Sequence, residues 1–267
     1  MSKHPAVPSH YPGVWQRTLL RIPASARTAR QASVNDTKTQ VFWLQAAHCH
    51  ADLRIPAGRP DFAGVNQLTD CTDEQLGWLT RQQGFAGITQ VQKDQCIWHR
   101  KVDFQPASGK RDIGHMQFGR DELIETGVEA DYMEHWVRLP DSSGPNWVLQ
   151  LAEEDGQLPA QPAWLLVCGA YFMYVRPRLA QLPPAPDLAS LIRATLPNRE
   201  RLLSWLDFEI SFGRRESNTP WQIERSTLPF REGQLAFQPG TLVPAWNKLV
   251  VEHGSGRVWR QLEGEML

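Results

Sequence analysis

No apolar run in this chain is long enough to cross a bilayer as a helix. The longest, AWLLVCGAYFMYV from Ala163 to Val175, falls well short of the roughly 20 residues a spanning helix needs, so no membrane span is expected. An excess of one charge sign is missing too. The net charge is −1 and the pI about 6.7, without the basic footprint that nucleic acid requires. Cysteine is scarce: Cys49, Cys71, Cys96 and Cys168 form no CxxC pair and no zinc-type spacing. The opening MSKHPAVPSHYPGVW has no apolar core and no small-residue cleavage pattern, so no secretory signal is expected and the thiols read as reduced, in a cytoplasm. Catalytic signatures are also lacking. There is no GxSxG, and GSGRVW at 254–259 lacks the lysine and hydroxyl residue of a phosphate-binding loop. Glu153, Glu154, Asp155 and Gly156 read as a hairpin turn, with no acid/base pair needed to explain them.

What is present points to β-structure. Hydrophobic residues make up 41% and charged residues 21%, the balance of a globular protein. Eleven tryptophans, which favour strands, stand among 20 prolines and 19 glycines that punctuate short apolar runs.

The runs recur in order. VFWLQAAHCHADLRIP (41–56) lies over PAWLLVCGAYFMYVRP (162–177) at an offset of 121, which sets Trp43 on Trp164 and Pro56 on Pro177. A helix signal follows each: TDEQLGWLTRQ (72–82), with a Thr72–Gln75 capping-box pattern, and DLASLIRATL (187–196), with Asp187 as N-cap and NRERLLSWL (198–206) adding a further turn. Strands then resume at FAGITQVQ (85–92) and LDFEISFG (206–213). CIWHRKVDFQP (96–106) matches PWQIERSTLP (220–229), DIGHMQF (112–118) matches REGQLAF (231–237), and HWVRL (135–139) matches RVWRQL (257–262). This is the pattern of a diverged duplication. PDSSGPN (140–146) is the linker, so the expected domains are 1–139 and 140–267. Each half suits a closed antiparallel β-barrel with one short helix, either filled by its own side chains or hollow enough for one small ligand.

In the first half ADLRIP, FAG, IWHRKVDFQP, DIGHM, LIETG and YMEHWVRL follow one another in that order. The series resembles the HRI protein family, a group of fungal and bacterial two-barrel proteins, over residues 14–139, and more weakly beyond them. The resemblance implies two tandem lipocalin-like (calycin-like) barrels and no established catalytic activity, so no catalytic residue carries over.

Candidate site residues lie on five of these segments. His48 and His50 lie two apart on a strand and share a face that Asp52 and Arg54 continue, and Cys49 points away. An HxH on a strand can hold a metal if a third ligand arrives, with His99, His115 or Glu134 as candidates. No further spacing supports this, so no metal and no cofactor are predicted. Asp52 and Arg54 read either as a wall salt bridge or as an anchor for a carboxylate. Cys96, Trp98, Arg100, Val102 and Phe104 share one face, and Tyr132, Glu134, Trp136 and Arg138 another, with Glu125 able to join. Trp98, Trp136 and Trp43 or Phe42 would wall a pocket; Arg54, Arg100, His115, Glu125, Tyr132 and Glu134 would supply polar groups. The first function that follows is a non-catalytic binding protein for a small apolar or amphipathic ligand. A protein–protein module with filled barrels is the second. The third is a calycin-like isomerase or decarboxylase, in which Tyr132, Glu134, Arg100 and His115 act as acid, base and anchors. A register slip of one residue reverses every facing assignment.

Overall fold

The computed structural model describes residues 5–24, 33–216, 218–264 and 266. Residues 1–4, part of the segment read above as carrying no secretory signal, lie outside them. Strands β1 (Gly13–Ile22), β2 (Val34–Asp36), β3 (Gln40–Gln45), β4 (Cys49–Ile55), β5 (Gln83–Gln92), β6 (Gln95–Asp103), β7 (Asp112–Phe118), β8 (Glu122–Gly127) and β9 (Met133–Arg138) build the first half. The antiparallel order runs β1-β3-β4-β5-β6-β7-β8-β9 and returns to β1, closing an eight-stranded barrel; β2 is a flap on the edge of β1.

The second half has β10 (Asn146–Glu154), β11 (Trp164–Cys168), β12 (Tyr171–Arg176), β13 (Glu209–Glu216), β14 (Thr219–Ser226), β15 (Leu235–Phe237), β16 (Leu242–Pro244), β17 (Leu249–Glu252) and β18 (Arg257–Gly264), in the order β15-β14-β13-β12-β11-β10-β18-β17-β16. All neighbours are antiparallel, so β15 and β16 at the two edges run the same way. They are also consecutive in the chain. Together they occupy the position of β7: the first piece pairs with β14 and the second with β17. Pro239 and Gly240, the latter at φ +75°, break this strand, and Pro244 lacks an amide donor near its end. The fold is thus two tandem barrels, one closed and one curled open along a broken strand.

Helix placement also repeats. Between β4 and β5 lies α1 (Asp73–Leu79), where Thr72 Oγ1 accepts from the Gln75 amide and Gln75 Oε1 accepts from the Thr72 amide. Between β12 and β13 lie two helices, not the single short one expected: α2 (Leu188–Thr195), capped by Asp187, and α3 (Arg199–Leu206), capped by Asn198. Leu196 ends α2 in the left-handed region at φ 45° just before Pro197, so the chain must restart its helix.

Strand pairing fixes the true offsets between halves. Trp43 pairs with Asp52 as Leu165 pairs with Tyr174, an offset of 122 and not 121. The single residue matters because it reverses the face. Trp43 points into the first barrel with Trp15, Trp98 and Trp136, whereas Trp164 points outward between the barrels. From β5 the offset is 126: Gly87 and Gly213 each sit at a bulge, and a Cβ on either would meet a facing carbonyl oxygen, that of His99 or of Gln222, at 2.0 Å. Trp98 over Trp221 and Trp136 over Trp259 keep the match read from sequence.

The barrels pack back to back. The outward sides of β3 and β4 meet those of β11, β12 and β13, with the helices covering the ends. Phe42 stacks on Phe212 at 4.4 Å between centroids, and Phe104 meets Phe208 edge-on at 5.5 Å. All four cysteines are free and buried. Across the seam Gln82 Nε2 donates to the Thr227 carbonyl, and Glu263 accepts from the His48 and Cys49 amides.

Candidate functional site

Alternation along β4 turns His50, Asp52 and Arg54 into the first barrel and Cys49, Ala51 and Leu53 outward. His48 is not on the strand, which begins at Cys49; it lies in the preceding bend with its ring 2.8 Å from Glu263. The HxH pair therefore does not converge, and no group of three His, Cys, Asp or Glu residues among the described residues is placed to hold a metal. The expected face of Trp98, Arg100, Val102 and Phe104 is also broken. The bulge at Gly87 adds a residue on β6, so Cys96, Trp98 and Arg100 face in while Val102 and Phe104 join the core between the barrels.

The remaining candidates do meet inside barrel one, except His115, which is half-exposed and pairs with Asp94 at 3.0 Å. It does not join Tyr132, Glu134 and Arg100 as an acid/base set. Arg54 Nε donates to Asp52 at 2.8 Å, and Glu134 accepts from Arg17 Nη1 at 2.5 Å and lies 3.6 Å from Arg54. Arg100 bonds Asp103 and Asp112 and lies over Phe85, its guanidinium carbon 3.6 Å from the ring centroid. Tyr132 donates to Glu125 at 2.7 Å. Burial, reinforced by the Glu134 charge, holds Glu125 well above the ordinary carboxylate range. Burial also pushes Asp52 up, with the Arg54 guanidinium working against it.

Little space is left. The cavity lined by Trp43, Asp52, Arg54, Phe85, Trp98, Asp112, Glu125 and Trp136 admits the centre of a water-sized sphere over only about 10 Å³, room for one water. The Trp43 and Trp136 indole nitrogens are buried without a partner, donors that such a water would satisfy. Barrel one is filled.

His50, also fully enclosed, gives this interior a pH signature. Burial lowers its pKa to about 3, helped by the charges of Arg100 and His99. The folded state refuses a proton that the unfolded chain accepts near 6.5, so stability is lost as pH falls from about 6.5 towards 3, at about 1.4 kcal/mol per pH unit for one proton. Raised carboxyls such as Glu125 work in the opposite direction, so the comparison must be with a variant. His50→Phe, which copies Phe172 at the equivalent place in barrel two, is expected to flatten the acid limb of stability against pH relative to the parent. Denaturant melts from pH 7 to pH 4 check this; identical slopes would count against a neutral buried imidazole.

The corresponding end of barrel two is different. Position by position, Asp52 becomes Tyr174, Phe85 becomes Ser211, Arg100 becomes Ile223, Asp112 becomes Phe237 and Glu134 becomes Arg257, while Arg54 is retained as Arg176. A large ring and a stacked guanidinium have given way to a hydroxyl and an aliphatic chain. A pocket of about 620 Å³ opens there. Tyr174, Ile223, Leu228, Phe230 and Phe237 give it an apolar floor; Leu203 and Ser204 of α3 and Leu68 and Thr69 roof it. Around the rim stand Arg176, Arg231 and Arg257 with Asp207 and Glu209. Arg176 bonds Asp207 at 2.7 Å, Arg231 bonds the buried Glu209 at 3.1 Å, and Arg257 bonds Glu154 at 2.7 Å. Ser211 Oγ donates to Glu209 at 2.7 Å. Burial pushes the Tyr174 phenol up to about 12, so it stays a neutral donor. This arrangement can accept an apolar body and present guanidinium groups to an oxygen-rich head.

None of these residues stands out in the sequence alone. With the offset of 121, Val175 falls under Arg54; with 122, Arg176 does, and the retained arginine becomes visible.

No family model and no curated protein matches this chain. Its fold is similar to that of the uncharacterized protein YLR301w from Saccharomyces cerevisiae, with a TM-score of 0.53 and 11% identity over 96% of this chain and 99% of that one. At that identity the likeness shows the fold alone.

Proposed function

We propose that this is a non-catalytic binding protein whose second barrel holds a small amphipathic molecule at its mouth. The reading rests on the lining of the barrel-two pocket: Tyr174, Ile223, Leu228, Phe230 and Phe237 give about 620 Å³ an apolar floor, whereas the interior of the first barrel leaves about 10 Å³ among its own charged and aromatic side chains. The larger value lies in the usual range for small-molecule sites. The apolar part of the ligand lies against Tyr174, Ile223 and Phe237, and its polar end faces Arg231 and Arg257. The first barrel, filled and cross-linked by buried ion pairs, serves as the rigid support. The lipocalin-like character and the HRI resemblance of the first half belong to the same reading, as does a cytoplasmic setting, which four buried free thiols favour.

A fluorescent amphipathic anion, anilinonaphthalene sulfonate, tests it. Saturable enhancement with one site per chain is expected. Ala236→Trp, which fills the mouth from β15, is expected to weaken binding about tenfold or more, equivalent to about 1.4 kcal/mol. Equal affinity in parent and variant would place the dye elsewhere and sink the proposal.

A second reading, a protein partner at the broken strand, draws on Leu235 on β15, Val243 on β16 and Trp246 just beyond, all exposed and Trp246 at 76%.

A further inference from the structure

A second cleft lies between the barrels, remote in character from the mouth of barrel two. It has about 660 Å³ and runs between the segment from Arg100 to Asp112 on one side and Pro177 to Leu182 with Phe208 on the other. Its cations are Arg100, Lys101, Lys110, Arg111 and Arg178; its anions are Asp103 and Asp112. In a chain with a net charge of −1, this is a concentration of positive charge. Two of the cations are neutralised locally, Arg100 by Asp103 and Asp112, and Arg111 by Glu129. Lys101, Lys110 and Arg178 carry the excess.

Arg178 is the unusual member. It is 6% exposed. Its guanidinium lies over the Phe104 and Phe208 rings at 5.2 and 4.8 Å and donates to the carbonyls of Asp103 and Phe104. Those contacts latch the barrels together but cancel no charge, and Nε has no partner. Among the described residues the other arginine buried to this degree, Arg17, faces both Asp36 and Glu134. Burial pulls the Arg178 guanidinium down to about 10, against weaker support from Asp103 and Asp207. An enclosed cation without a carboxylate is costly unless an anion completes it.

We propose that the cleft between the barrels binds a small phosphate-bearing molecule, with Arg178 supplying fixed positive charge at the floor and Lys101 and Lys110 closing on the phosphate oxygens from the rim. Ser108, Gln161 and Gln181 line the same cleft and offer hydroxyl and amide groups to the rest of the ligand. The volume suits a molecule of nucleotide size. Focused positive potential between low-dielectric walls would favour multivalent anions over monovalent ones.

Pyrophosphate is the probe, titrated calorimetrically into the full chain with sodium chloride adjusted to hold ionic strength constant. One saturable site is expected, weakened about tenfold or more in Lys101→Ala/Lys110→Ala. Both lysines are exposed, so this variant should fold even if Arg178→Gln does not. Ala236→Trp should leave pyrophosphate binding unchanged. No saturable heat at millimolar pyrophosphate, or equal affinity in the lysine variant, would overturn the site. Loss of pyrophosphate binding in Ala236→Trp would move the anion to the barrel-two mouth and overturn it as well.

Discussion

Arg54→Met is expected to lower stability by about 3 kcal/mol, the lower end of the range for breaking a buried ion pair. The arginine side chain keeps 22% of its exposure, but its partner Asp52 keeps 2% and Glu134 keeps 3%. Removing the cation leaves two enclosed carboxylates, of which Glu134 alone still has Arg17. The cost falls mainly on Asp52, whose carboxyl burial already pushes upward and whose chief counterweight is Arg54. Without it Asp52 titrates higher still. The sign follows: a raised carboxyl penalises the fold above its pKa, and the penalty is relieved as pH falls. The deficit of Arg54→Met against the parent should therefore shrink between pH 7 and pH 5. Asp52→Leu in the same chain should recover most of the loss, because no charge is then buried alone. Urea melts of the two single variants and the double variant decide the matter. A deficit independent of pH, or a double variant as weak as the first, would mean that the pair is not coupled as its 2.8 Å bond indicates.

Much of this architecture was legible in the residues. Tryptophan-rich runs cut by proline and glycine indicated strands, and the recurrence of CIWHRKVDFQP as PWQIERSTLP placed Trp98 over Trp221 correctly. Thr72 with Gln75 marked a cap that forms as read. Facing was not legible, for a physical reason. Side chains alternate, so one misplaced residue exchanges core for surface. Aligning Trp43 with Trp164 satisfied composition but reversed the face, since both sides of β3 and β11 are buried, one inside a barrel and the other between barrels. A strand apolar on both faces carries no period that reports which is which. The bulge at Gly87 did the same on β6: glycine there answers a carbonyl in the facing strand, which a single chain segment does not reveal.

The site was hidden by the same two-sidedness. Polar residues on apolar strands mark a site in the sequence, and Asp52, Arg54, Glu125 and Glu134 do converge. Convergence proved to be mutual satisfaction, with each charge facing another. The apolar pocket arises instead where barrel two carries Ile223 and Phe237 in place of Arg100 and Asp112, a difference seen only once the two halves are in register.

Phe85→Ala tests what keeps barrel one shut, by removing the ring whose place Ser211 takes in barrel two. Phe85 is 3% exposed, packs edge-on against His50 at 5.7 Å and supports the guanidinium of Arg100. Truncating a buried phenylalanine costs about 3–5 kcal/mol when the surroundings do not collapse. Two features argue against collapse. Trp43 is held between Trp98 and Trp136 at 5.7 and 6.0 Å, and Arg54 is tied to Asp52. The hole would join the existing cavity, which Asp52, Arg54, Asp112 and Glu125 line together with Trp43, Trp98 and Trp136, so it would hold water and suit a ring that carries a polar group. Phenol should then raise the melting temperature of Phe85→Ala and leave the parent unchanged. The competing outcome is that Arg100, its Asp112 bond released, folds into the gap. The loss would then be below about 2 kcal/mol and phenol would have no effect. That result would show that the arginine over Phe85 alone keeps barrel one shut, and Ile223, which stands in its place, lines the pocket of barrel two.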